Sequence, residues 1–253
     1  MAILVHSEFG ILRLTISRPE KRNALSAEMF NELTDALADA ARDDAVRTVL
    51  IKGDDRLFSA GADLEEMQRA PEELERAMTA FFAELRRFPK PVVAQVSGPC
   101  VGEAFIMLLY CDLVYVAKDA LFSLPAVALA RTPRFGSAAI IEAAAGLPKA
   151  SEKLLLTEPV TALEAEQMRL VTAAVEPENL DQVVAAKTAR LAVLPPQAVQ
   201  AAKQLLTAAR TRRLEADADF EEAIWRRQSE SAEAKEALDA FLHGRKPVFR
   251  PAD

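Results

Sequence analysis

The stretch PVVAQVSGPCVGEAFIMLLYCD, Pro91 to Asp112, decides how the rest of the chain is read. Its first part, Pro91 to Val96, is almost continuously apolar, the pattern of a strand covered on both faces. Gly98-Pro99 then marks a turn. From Phe105 to Cys111 no charge occurs, yet Glu103 stands at the mouth of that apolar run. A carboxylate in the first turn of a helix is ordinary, because the N–H groups there are unpaired and the dipole is positive. The same geometry also suits a site that holds an anion. Strand, small-residue turn and helix start follow one another here as a βα unit.

Working outward, the same rhythm recurs. In GILRLTISRPEKRNALS (10–26), Ile11 or Leu12, Leu14 and Ile16 alternate with Arg13, Thr15 and Ser17, which predicts a strand. Ser26 is a candidate N-cap for a helix through Ala41, with Phe30, Leu33, Leu37 and Ala40 as its inward stripe. VRTVLIKG (46–53) reads as a second strand ended by Gly53. PEELERAMTAFFAELRRF (71–88), opened by Pro71, reads as a helix with Leu74, Met78, Phe81 or Phe82 and Leu85 inward. DLVYVAK (112–118) makes a further strand. Strands joined by helical crossovers of about twenty residues indicate parallel pairing. From Arg134 onward apolar residues recur at helical spacing almost to the end, broken at Gly146-Leu147-Pro148, Pro159, Pro177 and Pro195-Pro196. The layout is an α/β core over residues 1–190 with a helical extension over 191–253. Such an extension packs on its own core or on a neighbouring subunit.

The 253 residues are 51% hydrophobic and 27% charged, a balance that supports a sizeable core. A net charge of −7 and a pI near 5.1 disfavour nucleic acid or an anionic membrane as partner. Cys100 and Cys111 have no companion cysteine or histidine at metal-ligand spacing, and they read as reduced core thiols. His6 and His243 lie near opposite ends, and no Ser/His/Asp pattern forms around them. No signal-peptide pattern opens the chain, and no apolar run is long enough to span a bilayer. A cytoplasmic protein is expected, with no metal and no redox cofactor, since the glycine pattern is not a dinucleotide fingerprint.

Two loops carry the candidate chemistry. Phe58-Ser59-Ala60-Gly61-Ala62-Asp63 follows the strand 46–53 and precedes the short helix LEEM, with Asp63 placed to cap it. Gly98 to Glu103 repeats that logic after the next strand. Each is an ordinary turn when taken alone. Side by side, their backbone N–H groups could polarise one carbonyl oxygen from two directions.

Several segments together resemble the enoyl-CoA hydratase/isomerase family, the crotonase superfamily. They are SRPEKRNALS (17–26), FSAGADLEEM (58–67), KPVVAQVSGPCVG (90–102), CDLVYVAKDALFSLP (111–125), LLLTEPVTALEAEQMRLV (154–171) and AFLHGRKPVF (240–249). GPCVG is most similar to the Δ3,Δ2-enoyl-CoA isomerase branch. The resemblance implies an α/β fold of the ClpP/crotonase type, a spiral of ββα units with a C-terminal helical region, assembled as a homotrimer or a dimer of trimers. It implies an acyl-CoA substrate, so that coenzyme A enters as part of the substrate rather than as a cofactor. The thioester carbonyl would lie between the N–H groups of Ala62 and Glu103. Lys21, Arg22 and Ala24 would lie along the CoA nucleotide, and Ala60, Asp63 and Leu64 along its adenine and pantetheine. Gly102 and Ala126 join this substrate-binding set. Phe241 and Lys246 would reach the CoA of a neighbouring subunit.

The chain departs from that family where protons move. The two hydratase glutamates fall on Ile106 and Ala126, and the isomerase base falls on Arg134. Glu103, where relatives carry glycine or an aliphatic residue, has two readings: a relocated base, or a carboxylate that caps its helix or pairs with Arg131 or Arg134. Arg131 and Arg134 likewise either bind a second carboxylate on the acyl group or lie at the surface or a subunit interface. The expected activity is isomerase- or hydratase-like with an atypical acid/base set. The alternatives are a silent acyl-CoA-binding protein, or thioester decarboxylation or hydrolysis.

Overall fold

The computed structural model describes residues 2–249. The chain opens with β1 (Ile3–Glu8) and β2 (Ile11–Ile16), an antiparallel hairpin turned at Phe9-Gly10 with both residues at positive φ. On β2 the expected alternation holds, with Leu12, Leu14 and Ile16 buried. α1 (Ala27–Arg42) starts at Ser26, whose hydroxyl accepts from the Met29 N–H, and it buries Phe30, Leu33, Leu37 and Ala40. β3 (Thr48–Lys52), α2 (Leu64–Arg69) and α3 (Pro71–Arg87) follow, then β4 (Val92–Val96), β5 (Pro99–Val101) and α4 (Glu103–Leu108). Next come β6 (Leu113–Ala117), β7 (Leu121–Ser123), α5 (Ser137–Ala145), α6 (Leu147–Leu155), β8 (Val160–Thr161), α7 (Ala162–Gln167) and β9 (Ala173–Val175). The chain closes with α8 (Leu180–Val193), α9 (Pro196–Ser229) and α10 (Ala232–Leu242).

Two sheets result. The larger has the order β1-β2-β3-β4-β6-β9 and is parallel except at β1. The smaller, β5-β7-β8, takes β5 and β7 from the segments that follow β4 and β6, and β8 from the segment after α6. β4 is central, and its period of two serves two cores. Val92, Ala94 and Val96 face the large core that also takes in α1 and α3, whereas Val93 faces a second cluster with Leu180 and Val184 of α8. Gln95 points the same way as Val93 and donates to Asp181 at 2.6 Å. This double burial is why the strand reads as almost continuously apolar sequence, with Gln95 as its one polar residue. Lys90, just before it, is 4% exposed and donates to the carbonyls of Ala40 and Asp43, closing the C-terminal end of α1.

The helical stretch after Arg134 differs from its sequence pattern, because β8 and β9 interrupt it. They are two and three residues long, too short for an alternation to register. The long α9 buries only Leu214 and leaves Leu205, Leu206 and Phe220 exposed. Among the described residues, no helix is long and apolar enough to cross a membrane.

Candidate active site

β3 and β4 are parallel neighbours, so the loops that leave their C-terminal ends emerge side by side. They are tied together by Phe58 N–H to Pro99 O at 3.1 Å and Val101 N–H to Ser59 O at 3.0 Å. A third segment, 22–25, is laced to the first loop. Ala60 donates to Arg22 O at 3.1 Å, Leu25 to Gly61 O at 2.8 Å, and Asp63 to Leu25 O at 2.9 Å. Asn23, fully buried at φ 54, fixes this junction. Its side chain accepts from Arg18 N–H and donates to the carbonyls of Leu57 and Phe58 and to Asp54.

Where the N–H groups go identifies the site. In the first loop, Ser59, Ala60 and Asp63 donate to carbonyls, and Gly61 donates to Ser59 Oγ at 3.1 Å. Ala62 alone turns its N–H toward the pocket, where it donates to Glu103 Oε2 at 3.1 Å. In the second loop, Val101 and Gly102 donate to Ser59 O and Ser123 O. The N–H of Glu103, at the start of α4, has no acceptor among the described residues. Gly61 permits this arrangement: its φ is +90°, and a Cβ there would lie 2.7 Å from Val101 O.

Glu103 also stands where two cavities meet. The outer one, about 280 Å³, is lined by Ala60, Ala62, Val101 and, from the C-terminal region, Ala237, Phe241 and Arg245. The inner one, about 60 Å³, lies between Ile106, Ala126, Leu129, Arg131, Thr132 and Arg134. Leu64, Gly102, Glu103, Pro125 and Leu129 belong to both walls.

Among the described residues, Glu103 neither caps its helix nor pairs with an arginine. Its carboxylate accepts from the Ala62 N–H and from no N–H of α4, and it makes no ion pair with Arg131 or Arg134. Arg134 is not at the surface either. It is bonded to Glu75 and, at 3.2 Å, to Glu222, and its guanidinium lies 3.8 Å from the Trp225 ring centroid and 4.4 Å from that of Phe135. Arg131 contrasts with it. Burial pulls its guanidinium below the ordinary pKa, against the opposing pull of the Glu103 and Glu75 carboxylates, and an arginine so placed is still a cation. Its Nε is buried without a partner, as is Thr132 Oγ1 in the same wall.

The remaining candidates divide. Asp63 caps α2 and pairs with Arg18 at 2.8 Å. Burial opposes its charge, but the Glu66 N–H and Arg18 outweigh burial and hold its carboxyl below the usual range. Lys21 pairs with Glu65 at 2.8 Å on the rim of an open groove that Arg18 and Asp63 also line. Arg22 is exposed beside it, and Ala24 is half-buried, its carbonyl accepting from Arg18. Phe241 lines the outer cavity of its own chain, through α10 packed against α2, and leaves 56% of its surface exposed. Lys246 lies on the exposed tail and lines neither cavity. Arg18, Asn23 and Trp225 escaped the sequence reading. The only hint was that Asn23 is a polar residue within SRPEKRNALS, three positions before the N-cap of α1.

The model of the family described as enoyl-CoA hydratase/isomerase matches residues 6–251. The chain belongs to this family. It is 33% identical to 2,3-dehydroadipyl-CoA hydratase of Escherichia coli (strain K12), with 98% of each chain covered. It is also 33% identical to enoyl-CoA delta isomerase 2 of Rattus norvegicus, over 97% of this chain and 64% of that one. Among solved structures, Pseudomonas aeruginosa OdaA superposes with a TM-score of 0.91 at 37% identity, covering 96% of this chain and 99% of that one. The crotonase-type spiral and an acyl-CoA-processing enzyme of the hydratase/isomerase type follow from this membership. Within that family, Ile106 and Ala126 put aliphatic groups in the inner cavity where the resemblance places glutamates.

Proposed function

We propose that the chain isomerises an unsaturated acyl-CoA through an enolate held by the N–H groups of Ala62 and Glu103, with the Glu103 carboxylate moving the proton. One observation carries this reading: the Ala62 N–H already holds an anionic oxygen, Glu103 Oε2, at 3.1 Å. A thioester carbonyl entering through the outer cavity replaces that oxygen and gains the free Glu103 N–H as its second donor. The displaced carboxylate then lies beside the carbon next to the carbonyl. It takes a proton from C2 of a 3-enoyl thioester while the electron pair moves onto the carbonyl oxygen. The same proton returns at C4, and the double bond moves to C2=C3. One base suffices for this transfer, whereas hydration needs a second group to activate water, and Ile106 and Ala126 supply none.

The test is NMR and mass spectrometry of 2-enoyl- and 3-enoyl-CoA panels in D2O, with wild type beside Glu103→Gln. Wild type should move the double bond or exchange the C2 proton. Glu103→Gln should lose about 10²–10⁴ of that rate, the usual weight of a general base, while still binding ligand. Activity that survives the substitution overturns the role of Glu103.

The same contact favours a second reading. A hole filled by its own carboxylate, with no acid at Ile106 or Ala126, suits a catalytically silent acyl-CoA-binding protein. Tight binding without exchange in either protein would select it. We also propose a homotrimer or a dimer of trimers, supported by Leu205, Leu206 and Phe220 exposed along α9, with light scattering as its test.

A further inference from the structure

Arg131 and Arg134 stand three residues apart at one cavity, and their surroundings differ in kind. Every strong interaction open to Arg134 is used: two carboxylates and two aromatic faces. Arg131 makes no side-chain hydrogen bond or ion pair among the described residues, and its Nε is buried without an acceptor. Glu103, the nearest carboxylate in electrostatic terms, is engaged with Ala62. Thr132 Oγ1, also unpartnered and buried, belongs to the same wall, beside apolar Ile106 and Leu129. Burying the Arg131 Nε–H and the Thr132 hydroxyl without partners destabilises the chain. Such an arrangement persists where a ligand completes it.

We propose that Arg131, with Thr132, is a receptor for a carboxylate at the far end of the acyl group, so that the substrate is the CoA thioester of a short dicarboxylic acid. This rests on the acyl-CoA reading above and names its substrate class. The guanidinium presents several N–H donors in one plane, matched to the two oxygens of a carboxylate. At about 60 Å³, the inner cavity admits a short chain and its terminal group, not a long alkyl tail. With Arg134 neutralised by Glu75 and Glu222, Arg131 is the cation in this wall with charge to spare. Its assignment is to specificity. The reacting atoms lie on the other side of Glu103.

Calorimetric titration with saturated ligands, which cannot turn over by isomerisation, tests the proposal. Succinyl-CoA is compared with butyryl-CoA, and glutaryl-CoA with pentanoyl-CoA. Wild type should bind the carboxylate-ended member of the better-fitting pair at least about tenfold more tightly, a ratio worth about 1.4 kcal/mol. Arg131→Leu should lose that preference while keeping its affinity for the methyl-ended ligand, which also reports that the variant is folded. Arg131→Lys should keep part of the preference. Wild type that favours the methyl-ended ligands, or an Arg131→Leu variant that keeps the carboxylate preference, overturns the proposal. Failure of wild type to bind either member would instead overturn the acyl-CoA reading on which it rests.

Discussion

The wall on the outer side of Glu103 and the wall on its inner side obey opposite rules. In the loops 58–63 and 98–103, most backbone donors are consumed by carbonyls or a hydroxyl of neighbouring segments, whereas Ala62 donates to the Glu103 carboxylate and the Glu103 N–H has no acceptor among the described residues. In the inner wall, Arg131 Nε and Thr132 Oγ1 are buried without partners among the described residues. The outer wall is rigid scaffold that aims two dipoles at one point. The inner wall keeps unspent polarity in reserve. The difference teaches where to look for what members of one family share and where they diverge. A carbonyl is common to all thioesters and can be met by fixed backbone, whereas acyl groups vary and must be met by side chains.

The largest effect is expected from disturbing the outer wall. Gly61→Ala places a methyl 2.7 Å from Val101 O at a φ of +90°. The two loops must then separate by a few tenths of an ångström, which misaims the Ala62 N–H. Loss of one such donor costs about 2.7–4 kcal/mol of transition-state stabilisation, so proton exchange at C2 should fall about 10²–10³-fold. Circular dichroism should stay native, because the strands that carry the loops are untouched. Near-wild-type exchange would mean that the spacing of the loops is not what matters.

What was legible in the sequence was what is local. Leu12, Leu14 and Ile16 announce a strand because alternate side chains face one core. Phe30, Leu33, Leu37 and Ala40 announce a helix because their spacing makes a stripe. The almost continuous apolar run of β4 correctly implied burial on both faces. The pairing of Ala62 with Glu103 spans forty-one positions, and no periodicity carries such a link. Family resemblance brought those two residues together, and no reading foresaw that the carboxylate itself would take the Ala62 N–H. The fate of Arg134 was equally invisible. Its partner Glu222 is eighty-eight positions away on α9, a helix whose apolar pattern says nothing of what its acidic face will meet. Asn23 hid for a similar reason, because its work is to satisfy carbonyls thirty-four and thirty-five positions on.

A smaller effect, but one of opposite sign at two nearby residues, comes from comparing the arginines in thermal unfolding without ligand. Arg134→Leu removes the shared partner of Glu75 and Glu222 and leaves two carboxylates facing the same space. Breaking a buried pair by removing one partner costs about 3–5 kcal/mol. Here Glu75 and Glu222 are 25% and 39% exposed, so water recovers part of that, and about 2–3 kcal/mol is expected. For a chain of this length each kcal/mol is worth about 2–4 °C, so Tm should fall by roughly 5–10 °C. Arg131→Leu removes a buried donor that has nothing to donate to and replaces it with an apolar side chain in a largely apolar wall. Its Tm should hold or rise by a few degrees, the pattern of a residue kept for function at the expense of stability. Equal falls at both positions would show that Arg131 supports the fold as Arg134 does. A fall at Arg134 beside a rise at Arg131 would mean that the inner wall's polarity is tolerated by the fold rather than required by it.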